Sequence, residues 1–324
     1  MRTEVNIEKS LNPFGYEHHI LFMGSCFSEH IGTRLRERKF NVDLNPFGIL
    51  YNPVSIASGI QRMVKGRPYL EDDLFFHQGW WHSFDHHSSF SNADKTVCIE
   101  EINKRLELSA GNLSKAKYIF VTFGTALVFL ETGSGKVVSN CHQLPAELFE
   151  NQLLRVGDIV RMYSLLLNEV SALNRNLRWV FTISPVRHWK NGPVANQVSK
   201  STLLLAVSEL KSKFDNVEYF PAYELFMDDL RDYRYYSDDM LHPGSQGIEY
   251  TWGKFTGVYI DERAKGMIRN IESLMKAKNH RPRNTASEEY RAFRKNQYEK
   301  ALKLSKENPA VDFNEFLEYF DDKN

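Results

Sequence analysis

Ile20-Leu-Phe-Met-Gly24-Ser25-Cys26-Phe27-Ser28 decides how the chain is read: a compact apolar run, a glycine, a serine, and then a helical pattern. A strand that passes straight into a helix leaves the residue at the junction on the C-terminal edge of a sheet, where open α/β folds place their sites. The same alternation recurs downstream. Strands are predicted at His19–Met23, Lys117–Phe123, Trp179–Ser184 and Asn216–Phe220, each a short run of Ile, Leu, Val, Phe or Tyr that suits burial on both faces. Helices are predicted at Ser28–Arg38, Gly157–Asn174, Ala195–Phe214 and Ser245–Lys276; the second carries an apolar stripe at Ile159, Met162, Tyr163, Leu166, Val170 and Leu173. The fold class is α/β. Asn41–Ser91, rich in aromatics, Pro and Gly, reads as long ordered loops over one end of the sheet.

With 324 residues the chain has ample material for a core. Its 41 Lys+Arg against 41 Asp+Glu give no basic field for nucleic acid. Three cysteines, Cys26, Cys98 and Cys141, are too few and too dispersed for a disulfide scaffold or a zinc cluster. No apolar run approaches the roughly 20 residues that span a bilayer, and the stretch after Met1 is polar, so a cytoplasmic protein with no membrane partner is expected.

Glu131-Thr-Gly-Ser-Gly-Lys136 mimics a phosphate loop, but Leu130 replaces its first glycine and Val137 its Ser/Thr. Flanked by Leu127–Glu131 and Lys136–Ser139, it is better read as a hairpin turn. Beyond His280 the composition shifts to a loop, a charged helix at Ser287–Glu307 stopped by Asn308-Pro309, and a capping box at Asp312-Phe-Asn-Glu315. The domains expected are 1–279 and a helical C-terminal extension at 280–324, which offers a surface for self-association.

Two features carry chemistry. Ser25 precedes a helix whose free N–H groups and dipole stabilise an oxyanion, although Ser25 or Ser28 also suits a simple helix cap. Ser237-Asp-Asp239-Met-Leu-His242-Pro243-Gly244 places a carboxylate three residues before a histidine, close enough to hold its ring as a general base. Together they give the order Ser…Asp…His.

GSCFSEHIG, with NPFGILYNP, WWHSFDHHSSFS, FVTFGTALVF, SNCHQLP, TISPVRHWKNG and DDMLHPG in this order, resembles the GSCFA domain family, a branch of the SGNH or GDSL-like hydrolase superfamily. The resemblance covers about residues 3–260 and leaves the tail outside it. It implies a three-layer α/β/α sandwich on a mostly parallel sheet, and ester hydrolysis through an acyl-serine. Ser25 matches the nucleophile, and Asp239 and His242 match the D-x-x-H. The superfamily's oxyanion donors are the serine N–H, a glycine and an asparagine; Ser25 and Gly48 match the first two. The asparagine is missing from Phe123-Gly124-Thr125-Ala126, which leaves Thr125 or Asn140 to replace it. Loss of such a donor typically costs about 3–4 kcal/mol of transition-state stabilisation.

His82, His86, His87 and Asp85 are the residue types that ligate metals, but neighbouring residues of an extended segment face apart and chelate poorly. Pocket lining suits them better, and no metal or cofactor is expected. Cys141 beside His142 reads as a buried thiol. Arg187 and His188 follow a strand at the ligand-binding edge, where Arg187 suits a carboxylate or phosphate or else a loop ion pair. Ser199-Lys200 does not make a catalytic dyad, since adjacent helical residues diverge. The candidate substrate-binding residues are therefore His82, His87, His142, Arg187 and His188. The expected function is an esterase acting on a small acyl group, such as acetyl, on a sugar or other polar molecule. Acyl transfer by the same residues, or a weak or inactive binding module that keeps the pocket, are the alternatives.

Overall fold

A computed structural model describes residues 3–321 except Ala286. The strands are β1 His19–Gly24, β2 Asn41–Leu44, β3 Phe75–His77, β4 Trp80–His82, β5 Ala116–Phe123, β6 Leu127–Glu131, β7 Val137–Val138, β8 Phe149–Leu153, β9 Arg178–Ile183 and β10 Val217–Phe220. The helices are α1 Cys26–Glu37, α2 Pro53–Lys65, α3 Lys95–Lys115, α4 Val156–Leu173, α5 Gly192–Lys213, the single turn α6 Ala222–Glu224, α7 Ser245–Tyr259, α8 Glu262–Lys278, α9 Glu288–Glu307 and α10 Asn314–Phe320. The chain divides into two compact units, one of residues 1–8, 19–33 and 42–255, the other of residues 9–18, 34–41 and 256–324.

The first unit is built on a sheet of order β10-β9-β5-β1-β2, with parallel pairing from β10 through β1. The two-residue period of its strands sorts the side chains onto two faces. Leu21, Met23, Ile119, Val121, Phe123, Trp179, Phe181 and Ile183 join one core with apolar residues of α2, α3, α4 and α5. On the opposite face Phe22 stacks on Phe120 at 4.6 Å, and Phe255 of α7 packs on Phe120 and Phe220 at 5.2 and 5.8 Å. Phe27 of α1 tilts against Phe220 at 5.4 Å on that same face. Helices thus cover both faces, giving the expected α/β/α layering.

The four predicted strands are β1, β5, β9 and β10. The hairpin at Glu131–Lys136 also forms: β6 and β7 pair antiparallel, and the Glu131 carboxylate accepts the N–H groups of Gly133 and Ser134, a turn built around an acidic side chain rather than around an anion. Three expectations need correction. Asn41–Ser91 is not all loop, because α2 begins at Pro53 behind the Asn52 cap and ends at Gly66 with φ 56°. The 21-residue α3 was not foreseen, although Asp94 caps it through the N–H groups of Thr96 and Val97. Ser245–Lys276 is two helices, because Asp261 turns its carboxylate to the Ala264 N–H and starts α8 afresh.

In the second unit Met267, Ile271 and Leu274 of α8 meet Ala301 and Leu304 of α9 and Phe316 and Phe320 of α10. Asp312 caps the Asn314 N–H, but Glu315 does not close a capping box; it forms ion pairs with Lys39 and Lys278 instead. No helix among the described residues is long and apolar enough to cross a membrane.

Candidate active site

Ser25 sits between β1 and α1, held by the backbone on each side. Gly24 has φ 127°, and a Cβ there would lie 2.2 Å from the Thr122 carbonyl oxygen, so only glycine lets β1 end this close to β5. The Gly24 N–H donates to Asn45 Oδ1 at 3.0 Å and the Ser25 N–H to the Thr122 carbonyl at 3.2 Å. Ser25 Oγ is buried and makes no hydrogen bond. Ser28 is not the simple cap considered from the sequence: its hydroxyl donates to the Met23 carbonyl at 3.0 Å and pairs with Thr122 Oγ1 at 2.7 Å. The Cys26 thiol lies 3.6 Å from Ser184 Oγ, and burial holds it above its ordinary pKa.

Asp239 and His242 form a finished pair. Asp239 Oδ2 accepts from His242 Nδ1 at 2.6 Å, while Oδ1 accepts the backbone N–H groups of Leu241 and His242, each at 2.9 Å. These hydrogen bonds, led by the His242 N–H, pull the carboxyl down to about 2. The loop itself is pinned, with Ser237 N–H on the His242 carbonyl at 2.8 Å and Met240 at φ 57°. With Nδ1–H committed to a carboxylate, Nε2 is the basic nitrogen of the ring. The pair is about half exposed, and His242 makes no hydrogen bond to Ser25.

Lys200, discounted in the sequence as half of a Ser–Lys dyad, has a different role that sequence reasoning missed. It is fully buried on α5, and its ammonium donates to the carbonyls of Gly124, after β5, and Ser184, after β9, both at 2.6 Å. Burial lowers its pKa to about 7, opposed by Cys26 and assisted by the Arg187 cation. His188 is likewise driven down to about 4 by burial, with Lys200 and His242 adding to the effect. Tyr51 meets the His188 ring edge-on at 5.8 Å. A helical lysine between two serines carries no sequence signal for this role; the parallel strand order creates it.

The expected site residues separate. Arg187 and Asp239 line a cavity of about 640 Å³ with Trp189, Met227, Tyr233 and Tyr236. His82, Asn140 and His142 instead line another cavity of about 340 Å³ that shares no residue with the first. His87 belongs to neither; it packs its Cβ against Gly48 and accepts the Ser89 N–H. Of the expected oxyanion donors, those of Ser25, Gly48 and Thr125 are engaged within the protein, and Asn140 lies on the other cavity. Gly48 N–H donates to the Asn45 carbonyl at 2.8 Å and Ser25 N–H to Thr122. Thr125 N–H bonds Tyr51, and its hydroxyl is shared between Ser199 and the Leu127 N–H. Asn140 Oδ1 accepts the His142 N–H at 2.9 Å, on the other cavity. Cys26 opens α1, and the first N–H groups of a helix have no partner within the helix. Among the described residues no group of three or more His, Cys, Asp or Glu could hold a metal ion.

The fold and site define an α/β protein with a serine and an Asp–His pair at its sheet edge. Residues 19–255 match the GSCFA family and residues 271–324 the C-terminal domain of GSCFA domain proteins, so the chain belongs to the GSCFA family and its tail is part of the resemblance rather than outside it. No curated protein matches it. Among solved structures it is similar to an acetyl xylan esterase from the rumen bacterium Butyrivibrio proteoclasticus, at 13% identity and TM-score 0.32, over 74% of this chain and 63% of that one.

Proposed function

We propose that this chain is a serine hydrolase that cleaves a small acyl ester. The observation that carries the reading is the Asp239–His242 pair: a histidine with one nitrogen fixed by an ionised carboxylate and the other basic. In this mechanism His242 Nε2 takes the Ser25 hydroxyl proton as Oγ attacks the ester carbonyl. Asp239 stabilises the imidazolium without accepting its proton. The tetrahedral oxyanion faces the Cys26 N–H and the positive end of α1. His242 returns the proton to the leaving alcohol, and water activated by the same ring releases the acid from acyl-Ser25. The separated Ser25 and His242 then close on substrate, as catalytic hydrogen bonds often do. The 640 Å³ cavity beside Asp239, lined by tyrosines and Arg187, suits a polar alcohol portion such as a sugar.

The test is hydrolysis of p-nitrophenyl acetate through octanoate by the wild-type chain and by Ser25→Ala, with mass spectrometry of the quenched protein. Acylation of the peptide carrying Ser25, and a rate lost in the variant, is the expected result. Equal rates in both proteins would sink the reading.

One observation favours a second reading, a binding module with feeble catalysis: the anticipated N–H groups of Ser25 and Gly48 are already donated within the protein, and the Thr125 hydroxyl is already engaged with Ser199 and the Leu127 N–H. On that reading Ser25→Ala leaves ligand binding intact and there is no turnover to lose.

A further inference from the structure

The smaller cavity has a chemistry of its own. It is lined by Gln78, Trp80, His82, Asn140, His142 and Gln143, with Ser88 and Ser91 at its wall, and so by amides, hydroxyls, imidazoles and one indole. Among the described residues, no Asp, Glu, Lys or Arg borders it. Both imidazoles are kept uncharged by burial, His142 most strongly, with a pKa near 4.

Two turns build the wall, and both are strained. Gln78-Gly79 joins β3 to β4 with φ 47° and 84°, and His142-Gln143 spans the Cys141–Leu144 turn with φ 48° and 60°. Positive φ at both central positions is the I′ pattern, which normally takes Asn or Gly. Of the six non-glycine residues at positive φ among the described residues, three line this one cavity. His142 is also nearly buried, with Nε2 on the Ser83 carbonyl at 2.9 Å and its accepting Nδ1 without a donor. Strained backbone and an unpaired buried acceptor at one cavity are what a ligand site retains and a mere loop does not need. Trp80, about half exposed, offers an open ring face.

We propose that this cavity is a binding site for a neutral carbohydrate, separate from the candidate catalytic cavity. A sugar ring has an apolar face of C–H groups, which stacks on the electron-rich face of Trp80. Its rim of hydroxyls both donates and accepts, as do the Gln78, Asn140 and Gln143 amides. An anionic ligand would find no cation, and a cation would find no carboxylate. The volume of about 340 Å³ holds one or two sugar rings. The inference does not depend on Ser25 being a nucleophile.

The test is calorimetric titration and saturation-transfer NMR with cellotetraose, xylotetraose and triacetylchitotriose, and with trigalacturonate as the charged control. Binding of at least one neutral oligosaccharide is expected, with no binding of trigalacturonate. Ser25→Ala should bind equally well, and Trp80→Ala ~10-fold more weakly or worse. Gln143→Gly guards against a folding artefact: it relieves the positive φ, so its thermal midpoint should not fall while its affinity does. Failure of every neutral sugar to bind would overturn the proposal. So would affinities unchanged in both Trp80→Ala and Gln143→Gly, or tighter binding of trigalacturonate.

Discussion

His242 and His142 occupy opposite kinds of surroundings in one unit of one chain. His242 stands half exposed on a pinned loop, bonded through Nδ1 to an ionised carboxylate. His142 is enclosed, bonded through Nε2 to a neutral backbone carbonyl, with its ring 4.5 Å from that of His82. A carboxylate welcomes a proton on the ring, whereas burial, aided by a second imidazole, opposes one at His142 despite the carbonyl. The first arrangement stands half in solvent, outside the core. The second is bound to the folded state through its neutrality. Disturbing His242 should therefore register in rate, and disturbing His142 in stability.

The largest effect is expected at Asp239→Asn. The amide leaves the loop geometry in place but favours the wrong tautomer of His242 and cannot stabilise the imidazolium, so kcat for ester hydrolysis should drop on the order of 10,000-fold. Its urea midpoint should move little, since polar changes at exposed positions seldom alter stability much. A stability loss larger than the rate loss would mean that the pair is structural and that the contrast is wrong.

Lys200→Met sharpens the same contrast from within the candidate site. The folded-state pKa, about 7, lies below the ordinary value of 10.5, so between those limits the unfolded chain holds the proton more tightly. Stability of the wild type should rise as pH is raised through that window, the burial penalty being fully present below it. The variant should lack this rise while leaving the Gly124 and Ser184 carbonyls unpaired, at about 1–3 kcal/mol each. Urea midpoints at pH 6.5, 8 and 9.5 provide the comparison. The same slope in both proteins would show that Lys200 does not titrate there.

Much of the fold was legible because strands buried on both faces are continuous apolar runs, and β1, β5, β9 and β10 are of that kind. The misses have local causes. Cys98, Ile102, Leu106, Ser109 and Leu113 of α3 recur at helical spacing, but most of the positions between them are charged or polar, so the stripe is faint. The break between α7 and α8 depends on one Asp261 side chain capping the Ala264 N–H, a choice no periodicity reveals. At the site, Asp239–His242 was readable because both partners lie within one short loop. The oxyanion donors were not, since whether the N–H of Gly48 is free depends on where the Asn45 carbonyl turns. Nor was Lys200, whose two carbonyl partners come from loops 76 and 16 residues away in sequence.

The smallest effect is expected at His142→Gln, and it tests the buried half of the contrast directly. Glutamine can still donate to the Ser83 carbonyl, so the fold at pH 7.5 should lose little. The difference should emerge in acid. His142 titrates near 4 in the folded protein against 6.5 ordinarily, so as pH falls through that interval the unfolded chain takes up a proton the native state refuses. Its share of stability is present above pH 6.5 and is lost progressively down to about 4. His86, held down to about 3, and His188, near 4, push the same way and keep the wild-type acid limb steep. His142→Gln removes one of these contributions, so thermal midpoints measured from pH 7.5 to 4.5 should converge on the wild-type values, or overtake them, at the acid end. Ester hydrolysis at pH 7.5 should be unchanged. If instead the variant loses hydrolysis and keeps the wild-type acid limb, the two histidines do not divide the labour of rate and stability between them. The smaller cavity would then belong to turnover.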